Sequence, residues 1–204
     1  ARIWSTDGDL RKTFEHRGPI FSAMSSRDGS RILTASRDST ARLWSKEGEL
    51  ITTLQHDGPV NAVIFSEDES YVLTASRDQT ARLWPTAEVD LIALQHEGEV
   101  NTAVFSSSGD FFLTASGDST ARLWSAKGDL QKTLSHDGAV LSAAFSPDGG
   151  SILTASQDKT ARLWSLQGHM RANFQHDSTV YAAVFSPDGN QILTASWDNK
   201  ARLW

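Results

Sequence analysis

The chain has 204 residues, 39% hydrophobic and 22% charged, ordinary values for a folded domain. A formal charge of −6 argues against a nucleic-acid platform, and the absence of any long apolar run gives no membrane-crossing segment. Cysteine is absent, which removes disulfides and thiolate chemistry and fits a reducing, cytoplasmic setting.

Internal periodicity organises everything else. Residues 1–4, ARIW, read as the last strand of a preceding unit. Five units of forty residues follow, at 5–44, 45–84, 85–124, 125–164 and 165–204. Tryptophan recurs at Trp4, Trp44, Trp84, Trp124, Trp164 and Trp204, and LTAS-x-D-x-x-ARLW recurs in every unit.

The second unit shows the predicted elements in order. LITTL (50–54), VNAVIF (60–65), YVLTAS (71–76) and TARLW (80–84) each read as a short strand. Both YVLTAS and TARLW carry apolar or small residues at both parities, so these strands are expected to be buried on two faces. The link after the tryptophan holds Gly8, Gly48, Gly128 or Gly168, a turn signal. The third link, WPTAEVD, carries Pro85 and no glycine, which predicts a different turn. In the last two units SPDGG and SPDGN, at Ser146 and Ser186, predict hairpin turns. The chain opens without methionine and both its ends fall at one phase of the repeat, so it is expected to be an excerpt of a longer polypeptide.

These residues resemble the WD-repeat β-propeller family, in which a repeat of 40–45 residues builds one four-stranded blade. The near-uniform units are most similar to bacterial members. Two family dipeptides are missing: Glu15, Gln55, Gln95, Ser135 and Gln175 stand where glycine often precedes the histidine, and Ser45, Pro85, Ser125 and Ser165 stand where aspartate often follows the tryptophan. The resemblance implies an all-β fold, a β-propeller of four-stranded antiparallel blades. These five are expected to belong to a ring of about seven. Five such blades leave a gap, to be filled by further blades of the same longer chain or by a second copy; closure as five blades is the least favoured solution.

The resemblance also implies one hydrogen-bonded network per unit. The sets are His16, Ser36, Asp38 and Trp44; His56, Ser76, Asp78 and Trp84; His96, Ser116, Asp118 and Trp124; His136, Ser156, Asp158 and Trp164; and His176, Ser196, Asp198 and Trp204. The serine is expected to accept the buried indole N–H, although Thr34 points the same way as Ser36 and suits that role too. Ser, His and Asp together invite a hydrolase reading, but a set repeated in every unit cannot face one cleft. One histidine per unit likewise cannot converge on one ion, so neither a metal nor a cofactor is expected.

Function is expected where the units differ. One variable position lies in the second strand: Phe21, Asn61, Asn101, Leu141 and Tyr181. Another precedes the turn aspartate: Arg37, Arg77, Gly117, Gln157 and Trp197. In the family both line the face that captures partner peptides, and aromatic residues and arginine suit binding hot spots. Arg37 and Arg77 are expected to form a small basic patch for an acidic segment. The repeated arginine of ARLW is expected to pack its stem along the blade, with a phosphate-binding ring the sharper alternative. His169 and Met170 read as a turn variation.

A non-catalytic scaffold binding proteins or peptides on one rim is the resulting expectation. A carbohydrate or small-ligand binder, or the sensor region of a larger signalling enzyme, is the alternative.

Overall fold

In the computed structural model, which describes residues 1–86 and 91–204, every regular element is a β-strand. A two-stranded sheet comes first, β1 (Arg2–Trp4) against β2 (Leu10–Thr13). Blade 1 comprises β3 (Ile20–Ser25), β4 (Arg31–Ser36), β5 (Thr40–Ser45) and β6 (Leu50–Gln55). Blade 2 comprises β7 (Val60–Phe65), β8 (Tyr71–Ser76), β9 (Thr80–Pro85) and β10 (Ile92–Gln95). Blade 3 comprises β11 (Val100–Phe105), β12 (Phe111–Ser116), β13 (Thr120–Ser125) and β14 (Leu130–Ser135). Blade 4 comprises β15 (Val140–Phe145), β16 (Ser151–Ser156), β17 (Thr160–Ser165) and β18 (Met170–Gln175). Blade 5 has three strands, β19 (Val180–Phe185), β20 (Ile192–Ser196) and β21 (Ala201–Leu203).

All neighbouring strands are antiparallel, and short turns join them within the described residues. The sheets are offset from the sequence units by one strand. The outermost strand of each four-stranded blade is the first strand of the next unit, as in the pairing of Thr40 with Gln55 and Leu43 with Thr52. Backbone hydrogen bonds therefore lock each unit to the one after it, where the repeat alone suggested one blade per unit.

Burial falls from the middle of the blade outward. The second strand is enclosed on both faces, as its mixed parity predicted: β4, β8, β12 and β16 are each buried over five consecutive residues. The fourth strand is mostly exposed, with one buried leucine in blades 1 to 3, Leu54, Leu94 or Leu134, and the half-buried Phe174 in blade 4. The first strand of each blade packs on the first two strands of the blade before it. This places Val63, Phe65 and Val72 of blade 2 against Leu33 and Leu43 of blade 1.

Among the described residues no sheet packs on the far side of blade 5, and its exposure shows what such a neighbour contributes. Leu33, Leu73, Leu113 and Leu153 are 0% exposed, whereas the equivalent Leu193 is 46% exposed. Leu203 is 63% exposed, against 6% for Leu43. The same residue types therefore bury their apolar area only through blade-on-blade contact. At the other end, Ala1, Ile3 and Phe14 cover Ile32 and Trp44 of blade 1.

Turns use the predicted chemistry. Gly8, Gly48, Gly128 and Gly168 all adopt positive φ after the tryptophan strand. The distinct turn expected of WPTAEVD depends on residues 87–90, outside the described residues. One turn departs from the pattern in a way sequence reading missed. Glu69 adopts φ +58° where Gly29, Gly109, Gly149 and Gly189 stand in the other units. Its carboxylate accepts the Arg27 backbone N–H at 2.7 Å and pairs with the half-buried Arg31 guanidinium, tying blade 2 to blade 1. That tie offsets a left-handed backbone that disfavours any residue with a Cβ.

Truncating a leucine between blades should cost far more than truncating its exposed equivalent. Leu113→Ala is expected to destabilise the protein by about 3 kcal/mol and Leu193→Ala by under about 1 kcal/mol, measured by urea unfolding.

Candidate functional site

The site is built on one rim, where the loops after the second and fourth strands of each blade meet. A buried relay lies beneath it. In blade 3 the Trp124 indole donates to Thr114 Oγ1 at 2.9 Å, and that hydroxyl lies 2.7 Å from His96 Nε2. His96 Nδ1 lies 2.8 Å from Asp118 Oδ2. An ionised aspartate only accepts, so Nδ1 carries the proton, Nε2 is the acceptor, and the threonine O–H donates to it.

The relay recurs in every blade. Histidine-to-threonine distances are 2.7 Å for His16, His56 and His136 and 2.9 Å for His176. Tryptophan-to-threonine distances run from 2.8 Å at Trp44 to 3.0 Å at Trp204. The bridging hydroxyl is therefore Thr34, Thr74, Thr114, Thr154 or Thr194, not the serine given that role above. Side chains two apart on a strand share a face, so the sequence left both open; only the buried register places threonine opposite the indole. Ser36, Ser76, Ser116, Ser156 and Ser196 instead hold the turn. Each donates to a backbone carbonyl of the preceding loop and accepts the aspartate N–H, as Ser36 does with Gly18 and Asp38.

The turn aspartate is the second hub. Asp38 Oδ1 accepts the backbone N–H of Thr40 at 3.1 Å and its hydroxyl at 2.6 Å, and Oδ2 accepts the Arg17 N–H at 2.9 Å. Burial pushes this carboxyl up, but the Thr40 hydroxyl, the Arg17 amide and His16 outweigh it and hold the group at about 2. Asp78, Asp118 and Asp158 are held at about 2 in the same way. Burial lowers all five histidines below 6.5, keeping them neutral against the pull of the aspartates. The residue after the aspartate is left-handed in every blade without being glycine: Ser39, Gln79, Ser119, Lys159 and Asn199.

Sequence reading also missed the glycine two residues after the histidine. A Cβ on Gly58 would lie 3.0 Å from the Asp78 backbone nitrogen, and on Gly98 2.7 Å from that of Asp118. The forty-residue recurrence of Gly18, Gly58, Gly98 and Gly138 was the available signal. Blade 5 has Ser178 there and Lys200 in place of the turn threonine. Its His176–Asp198 separation widens to 3.5 Å, and Arg202 contacts both groups.

The repeated arginine is committed to this framework at its head as well as its stem. Its Nη1 donates to the carbonyl before the histidine, at 2.8 Å for Arg42 and Arg82 and 2.7 Å for Arg122. Nη2 of Arg82 lies 3.1 Å from Asp57 and 3.3 Å from Asp78, and that of Arg162 lies 3.1 Å from Asp137 and 3.0 Å from Asp158. Guanidinium groups so engaged form no vacant phosphate ring. The threonine hydroxyls, 0% exposed and held by indole and imidazole, are likewise closed to a substrate.

Above this framework the rim varies. The pairing of first and second strands slips at one residue in every blade, for instance between the pairs Ile20–Ser36 and Ser22–Ala35. The extra residue is Phe21, Asn61, Asn101, Leu141 or Tyr181, the first variable position. A β-bulge re-aims its side chain, and the group so placed is aromatic in blades 1 and 5, asparagine in blades 2 and 3 and leucine in blade 4. Phe21 is 46% and Trp197 66% exposed. Tyr181 and Trp197 form an edge-to-face pair with ring centroids 4.7 Å apart. Arg37 and Gln157 are exposed, and Leu141 is half-buried.

Three predicted rim residues have framework partners. Asn61 donates to the Val100 carbonyl at 2.9 Å and Asn101 to that of Val140 at 2.8 Å, clipping each blade to the next. Arg77 lies 3.2 Å from Asn61 Oδ1 and 3.4 Å from Glu99, with its guanidinium 5.9 Å from the Phe21 ring centroid. Glu99 crosses over Gly117, where a Cβ would meet its side chain at 3.2 Å. The expected patch of Arg37 and Arg77 thus contains one arginine whose side chain has protein partners and one whose side chain has none among the described residues.

On the opposite rim, crevices open between blades. One of about 430 Å³ between blades 2 and 3 is lined by Tyr71, Phe105, Phe112 and Asp110. Another of about 390 Å³ between blades 4 and 5 is lined by Ser151, Phe174, Phe185 and Asn190. The two occupy equivalent positions of the repeat: Ser66, Leu83 and Phe105 correspond to Ser146, Leu163 and Phe185, whereas Tyr71, Asp110 and Phe112 are exchanged for Ser151, Asn190 and Ile192.

The family model for the WD domain, G-beta repeat, matches residues 8–45, 48–85, 90–125, 128–165 and 168–204. A search of the curated proteins found no match.

Three outcomes follow from the relay. Thr114→Val leaves the Trp124 donor and the His96 acceptor buried and unpaired, so it should destabilise by about 3 kcal/mol; Thr114→Ser, which keeps the hydroxyl, should lose about 1 kcal/mol by the same unfolding measurement. Lys159→Gly relieves a left-handed residue at an exposed turn and should stabilise by up to about 1 kcal/mol. Stability should also fall with acid in two stages. Neutral buried histidines favour the fold above 6.5, and that contribution is lost as pH falls below 6.5 toward their lowered folded values. The aspartates favour it above 3.8 and lose that contribution as pH falls toward about 2. Melting temperatures recorded from pH 8 to about 3 test both signs.

Proposed function

The chain belongs to the WD40 repeat family, whose repeats generally mediate protein–protein interaction and whose members are typically non-catalytic, and from that premise we propose that this protein is a non-catalytic scaffold that captures partner proteins or peptides on its bulged rim. One observation carries the reading. Five equivalent frameworks hold five β-bulges, and the bulge residue, aromatic in blades 1 and 5, asparagine in blades 2 and 3 and leucine in blade 4, stands beside a second variable position. A rigid scaffold with variable presentation suits recognition of one extended or irregular partner surface.

A binder of a repeating carbohydrate would favour the same rim residues in every blade. Phe21, Leu141 and Tyr181 differ in shape or polarity from one another and from Asn61 and Asn101, which favours a protein partner. Trp197, packed edge-to-face with Tyr181 and mostly exposed, supplies the largest apolar anchor. The absence of cysteine suits work in the cytoplasm. The open apolar face of blade 5 is where a further blade, from a longer chain or a second copy, would pack.

Selection of peptides from a random display library tests the rim. Enriched peptides should lose at least about tenfold in affinity against a Phe21→Ala, Trp197→Ala double variant whose melting temperature is within about 2 °C of the parent. Peptides that bind both proteins equally would overturn the reading.

A further inference from the structure

We propose that the rim of blades 1 and 2 is a docking site for an acidic peptide segment, whose carboxylates meet the guanidinium groups of Arg17 and Arg37 while its apolar side chains lie on Phe21 beside Arg77. This rests on the rim reading and names the partner chemistry of one part of it.

The argument starts from a charge reversal. The residue after the repeated histidine is acidic in four units: Asp57, Glu97, Asp137 and Asp177. Three of those carboxylates serve the framework. Asp57 pairs with Arg82 at 3.1 Å, Asp137 with Arg162 at 3.1 Å, and Asp177 with Lys200 at 3.1 Å. The first unit has Arg17 there, exposed, so Arg42 is left with Asp38 at 3.9 Å as its carboxylate neighbour. A stabilising pair has been replaced by a like charge, which the fold does not require.

The two free cations leave the rim from one point. The Arg17 amide donates to Asp38 Oδ2, and the Arg37 amide donates to the Pro19 carbonyl at 2.9 Å. A Cβ placed on Gly18 would lie 3.4 Å from the Arg37 Cβ, so the two loops touch. Among the described residues neither guanidinium has a carboxylate within 4.0 Å. Arg77 is the third cation. Asn61 and Glu99 hold its Nε, and its terminal nitrogens make no hydrogen bond among the described residues. In a chain of net charge −6, uncompensated arginines gathered at one corner do not follow from composition.

The surroundings select a short peptide over a nucleic acid. Asp57, Glu97, Glu99 and Asp137 carry the rim onward around blades 2 to 4 and would repel a long polyanion. Phe21 supplies an apolar and cation-supported surface suited to a side chain between carboxylates.

The test uses a fluorescent peptide of six glutamates surrounding one leucine, with lysine and glycine–serine versions and a ten-residue thymidine oligonucleotide as controls. Fluorescence polarisation should show the acidic peptide binding at least about tenfold more tightly than either control peptide, weakening between about 50 and 200 mM salt. Arg17→Asp, which restores the residue class of the other four units, should lower that affinity by about tenfold or more, with Arg37→Gln adding to the loss. The same Arg17→Asp variant should keep or raise the melting temperature, because a carboxylate beside Arg42 returns. Lys127→Ala, which removes an exposed cation on the opposite rim, should leave acidic-peptide binding unchanged. Equal binding of the neutral peptide, unchanged affinity in Arg17→Asp, or preference for the oligonucleotide would overturn the proposal. If library peptides still require Phe21 and Trp197 while the acidic peptide fails, only this inference falls and the rim reading stands.

Discussion

One buried hydroxyl per blade carries more of this structure than any other polar group. Thr114 and its equivalents accept the indole N–H and donate to the imidazole, and in blade 3 all three groups are buried away from water. Each such bond contributes only about 1 kcal/mol net, but an unmet group would cost about 1–3 kcal/mol. The relay therefore acts chiefly as a specificity device: it allows one placement of the tryptophan, one histidine tautomer and one orientation of the turn aspartate. The aspartate in turn fixes the loop that forms the rim. Apolar contact between blades supplies the larger driving force, as the contrast between buried Leu153 and exposed Leu193 shows.

From that framework the rim acquires its character by subtraction. Residues that repeat are consumed: serine in the turn, arginine on aspartate and carbonyl, glycine under the turn. The residues that vary are left outward, and the bulge in each first strand gives one of them a direction that regular pleating would not. Two are drawn back into the framework, since Asn61 and Asn101 clip neighbouring blades. Blade 1, with Phe21, Arg17 and Arg37, and blade 5, with Tyr181 and Trp197, thus present unlike surfaces on one scaffold. Blade 5 is also the least regular framework, with Ser178 and Lys200 in place of glycine and threonine and a longer histidine–aspartate separation.

Much of this was legible before any coordinates. Spacing of tryptophan, histidine and aspartate gave the repeat, and the mixed parity of YVLTAS gave a strand buried on both faces, as β8 is. The histidine–aspartate–tryptophan sets came from the family resemblance, and their members do meet. The threonine and serine could not be separated in this way, because residues two apart on a strand share a face and both recur in every unit. Nor did the pattern reveal that Gly58 and Gly98 sit against the aspartate backbone, a close approach made by chain segments about twenty residues apart.

The sequence by itself therefore determined the period, the strands and the apolar faces, because these follow from local pattern repeated five times, while the histidine, aspartate and tryptophan of the relay came from the family resemblance. The tertiary structure decided the one-strand offset between unit and blade, the threonine as bridge, the bulge at the variable position and the partners of Asn61, Asn101 and Arg77. Each depends on the register between strands or the approach of neighbouring blades, distances that a one-dimensional pattern does not contain.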